Sequence, residues 1–326
     1  MFGTETVSIS GREALVLKGD DGSRAVILPE LGGMVHELVL PVLADSESDT
    51  GSVETMSVIR SDSSGELDSN PYYRGRILLP FCGRIAGGKY RFRGKQQELY
   101  INYPAEGNAL HGFLYRTELS VLSAEAGTDE ALLRLHHIVK PQDEAGYPFS
   151  LQVILTYRLS AQGFTLEFLL ANAGLEEVPV SAGWHPYFRL DTVNGSCDDV
   201  YLTMDADLFY PTHHNLLPTG TLISVSGTQN DFRSGRPLCH AGLDTCFAFP
   251  RFAQLENRKT GRGISVSMDR DFFSKLHLYI PPERDCVAIE PVSAAGSAFT
   301  MPQLGLITLQ PQQQRSGWIR VQAYKL

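Results

Sequence analysis

Apolar and polar positions alternate with a period of two along most of this chain. In GFTLEFLLANAG, Phe164, Leu166, Phe168 and Leu170 fall on one face while Thr165 and Glu167 take the other, the pattern of a half-buried β-strand. LQVILTYRL and KYRFRGKQQELYIN behave similarly, whereas ALLRLHHIV is more continuously apolar and reads as a strand covered on both faces. Turn formers punctuate these runs at short intervals: GDDGS, AGGK, RGKQ, SAQG, NAG, VNGS, LPTG, KTGRG and PPERD. No long stretch carries a helical period, and short helical turns are expected only near Thr228–Arg233 and around residues 68–73. The expected fold class is all-β, a large antiparallel two-layer β-sandwich. Residues 44–70 are the most polar and rich in Ser and Asp. They are expected to form a surface excursion, with one short strand (ETMSVIR) inside it, from a single domain spanning 1–326. Neither a linker nor an internal repeat is visible.

Composition narrows the class of partner. With 326 residues, 43 % hydrophobic and 10 % aromatic, the chain can build a large core and does not resemble a disordered protein. The formal charge of −9, from 28 basic and 37 acidic residues, comes without a basic run to offset it. Neither nucleic acid nor an anionic membrane is therefore expected as a partner, while a neutral ligand such as a sugar is compatible. Cys82, Cys197, Cys239, Cys246 and Cys286 are widely spaced with no CxxC pair, which fits free thiols in a reducing compartment better than disulfides or a zinc site. No leader-like segment and no apolar run long enough for a bilayer is present, so a soluble, cytoplasmic protein is expected. Monomer and homodimer both remain open.

The candidate chemistry begins at AGWHPYFRL. His185 precedes Pro186, so its backbone is pushed into extended geometry, and a proline belongs at a strand end or sheet edge. VAIEPVSAAGSAF treats Glu290 the same way, ahead of Pro291. An imidazole and a carboxylate fixed like this can face each other across a cleft as an acid–base pair, with the imidazole protonated and the carboxylate ionised. The plainer reading is that each dipeptide merely ends a strand, and spacing alone does not bring the two side chains together. Other candidates are Arg84 in GRIAGGKY, Asn108 and His111 in GNALHGF, Asp244 in LDTCFAF and His277 in KLHLYIPP. Singly, Arg84 is as easily a surface ion pair, His111 a loop histidine and Asp244 a turn former.

In this order, the motifs GRIAGGKY, NALHGF, GWHPYFRL, LLPTG, LDTCF and AIEPVSAAGSAF resemble the aldose 1-epimerase (galactose mutarotase) family, from about residue 24 onward. The resemblance implies a galactose mutarotase-like supersandwich that interconverts the α and β anomers of an aldohexose by acid–base ring opening and closure, with no cofactor and no metal. Carried over by motif, His185 is the general acid and Glu290 the general base. Arg84, His111 and Asp244 bind sugar hydroxyls, Asn108 assists, and His277 takes the place of a sugar-contacting Gln. The chain departs from the familiar pattern at Gly83 (usually Asn), Phe113 (the second Gly of LHGG) and Arg189 (the Asn of HPYFNL), which bears on sugar preference more than on reaction type.

Trp184, Tyr187 and Phe113 either cover the apolar face of a pyranose or pack the core. His136 and His137 are adjacent in a strand and point to opposite faces, and His213 and His214 belong to a loop, so no metal site is expected. Three alternatives stand beside the anomerase. A hexose 6-phosphate site needs convergent cations, for which Arg74, Arg76, Arg84 and Arg189 are the candidates. Glycoside hydrolysis needs two carboxylates, here Asp244 and Glu290. A non-catalytic carbohydrate-binding sandwich has no need to keep both His185 and Glu290.

Overall fold

A computed structural model describes residues 1–43, 53–190, 195–239 and 241–326. Two large sheets dominate it. The larger, of fourteen strands among the described residues, runs Phe2–Ile9, Arg12–Gly19, Arg24–Leu28, Met34–Leu43, Gln314–Lys325, Gly163–Asn172, Leu151–Ser160, Glu130–Val139 and Ser120–Ala126. The smaller has eight and runs Ile223–Ser224, Leu208–Tyr210, Asp244–Ala248, Lys275–Tyr279, Val287–Val292, Gly183–Trp184 and Ile77–Leu78, with Tyr187–Phe188 also on Val287–Val292. All-β architecture is thus what the alternation specified.

The strand Gln314–Lys325 joins the larger sheet together. It pairs antiparallel with Gly163–Asn172 and with Arg262–Met268, and Ala323 and Tyr324 pair in parallel with Val42 and Leu43. Every other pairing of named strands among the described residues is antiparallel, and the isolated bridge of Leu79 with Gly112 is a second parallel contact.

The core lies between the sheets because each strand turns alternate residues toward the other layer. Phe164, Leu166, Phe168 and Leu170 are all buried, as their spacing requires. Phe164 meets Trp184 of the smaller sheet with ring centroids 5.9 Å apart. The strand Glu130–Val139 is not covered on both faces as its composition suggested. Ala131, Leu133 and Leu135 are buried, but Leu132, Arg134 and His136 are only partly covered and Ile138 is exposed. Apolar residues on its solvent side had disguised an ordinary one-sided strand.

Within the polar stretch 44–70, residues 44–52 lie outside the described residues. Thr55–Ser57 pairs with Met34–Leu43, and Met56, Val58 and Ile59 are buried. A helix at Ser64–Ser69 follows, slightly earlier than the helical turn expected at 68–73, and buries Leu67. Its start is fixed by Glu66, whose carboxylate accepts from the Ser63 amide. Arg74 then donates from a buried position to Asp62 (3.0 Å) and Glu66 (2.6 Å), tying the helix to the lip that carries Tyr72 and Tyr73. Residues 228–233 form turns rather than a helix.

Candidate active site

Period-two alternation decides which side chains the smaller sheet offers to solvent. On Lys275–Tyr279, Leu276 and Leu278 enter the core, so His277 and Tyr279 point the other way. On Val287–Val292, Val287 and Ile289 enter the core and leave Glu290 and Val292 on the outer face; on Asp244–Ala248, Phe247 enters and leaves Asp244 and Cys246. These outer residues line one cleft of about 300 Å³, walled by Tyr72, Tyr73, Tyr103, His111 and His185.

His185 and Glu290 meet there. Nε2 lies 3.4 Å from Oε1, and both residues are buried. The backbone makes this encounter unavoidable. The Ile289 amide donates to the Pro186 carbonyl, while His185 is held on its other side by its amide donating to Arg76 O and its carbonyl accepting from the Gly75 amide. The imidazole also stacks flat on Tyr187, at 5.0 Å and 3°.

Arg84 and His111 arrive on a two-stranded unit in which Arg84–Ala86 pairs with Asn108–Leu110. Gly83 sits at φ +71, and a Cβ there would lie 2.6 Å from the Gly296 Cα, so the Asn common in the family pattern does not fit this backbone. The Gly83 amide donates to His111 Nδ1 at 3.2 Å and its carbonyl accepts from the His111 amide. With Nδ1 accepting, neutral His111 carries its proton on Nε2. Gly112, at φ +72, is needed for close approach, since a Cβ would lie 1.9 Å from Leu79 O.

Arg84 does not present an open guanidinium. Nε and Nη2 donate to the two Glu106 oxygens at 2.6 and 3.2 Å. Asn108 is buried away from the cleft lining and donates to Glu106 Oε2 at 3.2 Å, so it supports this pair rather than facing a ligand. His277 Nε2 is 2.8 Å from Asp244 Oδ1.

Burial sets the protonation states. It lowers the His185 pKa to about 3, with the nearby His277 charge adding to the effect and the opposing pull of Asp244 too weak to offset it. Burial raises Glu290 to about 7. The resting pair therefore carries its proton on the carboxyl, the reverse of the charges anticipated from unperturbed values. Burial, aided by the Arg84 and His277 charges, also holds His111 neutral. Burial opposes a charge on His277, but Glu290 and Asp244 override it and raise its pKa well above the ordinary value. Burial pushes Asp244 up, but its bond to His277, the His277 charge and the Arg84 charge together outweigh that and lower its pKa.

Six of the seven candidates thus share one cleft, with Asn108 behind it. The four arginines considered for a phosphate do not converge. Arg74 is engaged by Asp62 and Glu66, Arg76 donates to Leu67 O and Tyr115 O, Arg189 is exposed, and only Arg84 lines the cleft. Trp184 and Phe113 belong to the core, and Tyr187 alone of the three aromatics reaches the cleft. Glu106 and the tyrosine wall escaped the motif reading. Tyr279 and Cys246 were within reach of it, each two residues along a strand from a candidate and hence on the same face.

The chain matches the family model described as aldose 1-epimerase over residues 16–322. It is 28 % identical to the Escherichia coli K12 protein YihR over 230 residues, 69 % of this chain and 71 % of that one. It is 30 % identical to human galactose mutarotase over 170 residues, 52 % of this chain and 47 % of the human one; the alignment thus spans about half of that relative. A galactose mutarotase-like protein from Clostridium acetobutylicum has the same fold, with a TM-score of 0.84 at 21 % identity, covering 100 % of this chain and 99 % of the other.

Proposed function

Because the chain belongs to the aldose 1-epimerase family of carbohydrate isomerases, we propose that it interconverts the α and β anomers of a neutral aldohexose through ring opening at the His185–Glu290 pair. The observation carrying this reading is the 3.4 Å approach of His185 Nε2 to Glu290 Oε1 at the wall of a sugar-sized cleft. At about 300 Å³ that cleft is at the small end of ligand pockets, a size suited to one pyranose ring.

Ring opening takes a proton from the anomeric hydroxyl and gives one to the ring oxygen. Glu290 as carboxylate serves the first transfer and His185 as imidazolium the second. The aldehyde end then rotates, and closure on its other face reverses both transfers, so nothing is consumed. Burial makes the imidazolium scarce but strongly acidic, which suits a donor to a weakly basic ether oxygen. The singly protonated pair is the competent form, and it already holds the one proton the cycle needs. Each positioned transfer supplies ~10²–10⁴ in rate, or roughly 3–5 kcal/mol of barrier.

Charge supports a neutral substrate. Asp244, Glu290 and Glu106 face the cleft, and its two cations, Arg84 and His277, are already paired with Glu106 and Asp244. A phosphate there has no free cation among the described residues to receive it. The test is the approach of fresh α-D-glucose and α-D-galactose to anomeric equilibrium, followed by polarimetry or NMR, with glucose 6-phosphate alongside. Acceleration of a neutral sugar is expected; no acceleration of any of the three sinks the reading.

A further inference from the structure

The cleft contains an imidazole beyond the acid–base pair and His111, and its position gives it a task other than touching sugar. Three neighbouring strands set Cys246, His277 and Glu290 in a single row, with Cys246 opposite His277 and His277 opposite Glu290. All three line the cleft. Residues directly opposed on one face of an antiparallel pair have Cβ atoms ~4.5–5.5 Å apart, close enough for charges to couple strongly. On its far side His277 is locked to Asp244 at 2.8 Å. An imidazole set between two carboxylates gains from both by keeping its second proton.

We propose that His277 is the resident cation of this site, a positioning residue that is held by Asp244 and governs how tightly the neighbouring Glu290 carboxyl keeps its proton. The other titratable groups around Glu290 are His185 and Tyr187 from the HPYF segment, Asp244 and Cys246 from the next strand but one, Tyr279 beside His277, and Arg84, Cys82 and His111 across the cleft. Arg84 is engaged by Glu106, and His185 and His111 are neutral. His277 is the strongest electrostatic influence on Glu290 among these groups. Its charge offsets part of the burial that otherwise keeps the carboxyl protonated.

The inference rests on the anomerase reading, and its test separates the two. kcat/KM for the neutral sugar is measured against pH for the wild type and for His277→Gln, with thermal unfolding to confirm that the variant folds. Gln retains a hydrogen bond to Asp244 and drops the charge. The limb at which Glu290 loses its proton is expected to move upward by about one unit or more in the variant; coincident limbs overturn the inference. A wild type that leaves anomer exchange unaccelerated defeats the functional reading instead. In that event, or if the variant does not fold, NMR titration of ¹⁵N-histidine-labelled wild type decides. His277 is expected to remain doubly protonated through neutral pH, and loss of its proton at or below about 6.5 overturns the inference.

Discussion

The Pro186 carbonyl accepts a hydrogen bond from the Ile289 amide at 3.3 Å, between strand pairings of Tyr187 with Ala288 and of Gly183 with Val292 that join the two proline-marked segments of the chain. His185 and Glu290, the residues flanking it, have no freedom to sit in separate pockets. The geometry of the acid–base pair is therefore a property of backbone pairing rather than of side-chain choice.

Removing either member should abolish most turnover. His185→Ala and Glu290→Gln are each expected to lower kcat by ~10²–10⁴-fold, measured polarimetrically, with the double variant little worse than the singles because the two act as a unit. Near-wild-type turnover in either single variant would show that its role is misassigned.

The same Glu290→Gln change should stabilise the fold at alkaline pH. The Glu290 pKa stands at about 7 when folded, raised from the ordinary 4.5. The folded state thus binds a proton more tightly than the unfolded one, a contribution fully present below about 4.5 and lost as pH rises through about 7. At about pH 8 a neutral amide avoids a cost on the order of 1–3 kcal/mol. Denaturant titrations at about pH 5 and pH 8 check this; a variant less stable than wild type at both contradicts it.

The pH dependence of kcat/KM reports the free enzyme. If the singly protonated pair is the working form, activity is level at mildly acidic pH and falls above about 7 as Glu290 gives up its proton. Its acid limb lies near 3, where His185 is titrated. A rate that instead climbs through neutrality would mean that the ring-oxygen proton comes from a group other than His185.

Gly83→Asn should damage both fold and binding. The new Cβ meets Gly296 at 2.6 Å on a backbone of φ +71, and the amide that orients His111 is displaced with it. A loss of ~1–3 kcal/mol in stability and a rise in KM are expected, read from thermal unfolding and sugar saturation curves. An unchanged melting temperature would refute the steric argument.

Glu106→Gln tests the ion pair at the cleft. Without the carboxylate, Arg84 loses its bidentate anchor, and KM should rise by roughly tenfold, about 1.4 kcal/mol, while kcat changes little. A fall in kcat with KM unaltered would place Glu106 in the chemistry itself.

How far the sequence leads depends on the range of the interactions involved. Strands such as Gly163–Asn172 were legible because burial of Phe164, Leu166, Phe168 and Leu170 follows directly from local alternation. The HPYF and EP motifs marked His185 and Glu290, since proline restricts its predecessor wherever it falls. Protonation was not legible, because desolvation of His185 and Glu290 exists only after the sheets close around them. Glu106 lay hidden for a similar reason: in PAEGN it is an ordinary polar turn residue until Arg84 is folded against it. The parallel contact of Ala323 with Val42 had no local signal either, because register between distant strands depends on the whole sheet.

That joining role of Gln314–Lys325 has a bearing on biosynthesis. This segment is made after every strand it unites, those at 34–43, 163–172 and 262–268. Until it emerges from the ribosome, the hairpins already made must wait with unpaired edges, open to self-association. Such non-local pairing slows folding, so mutations that weaken this segment should lower the yield of correctly assembled protein before they alter any property of the finished molecule.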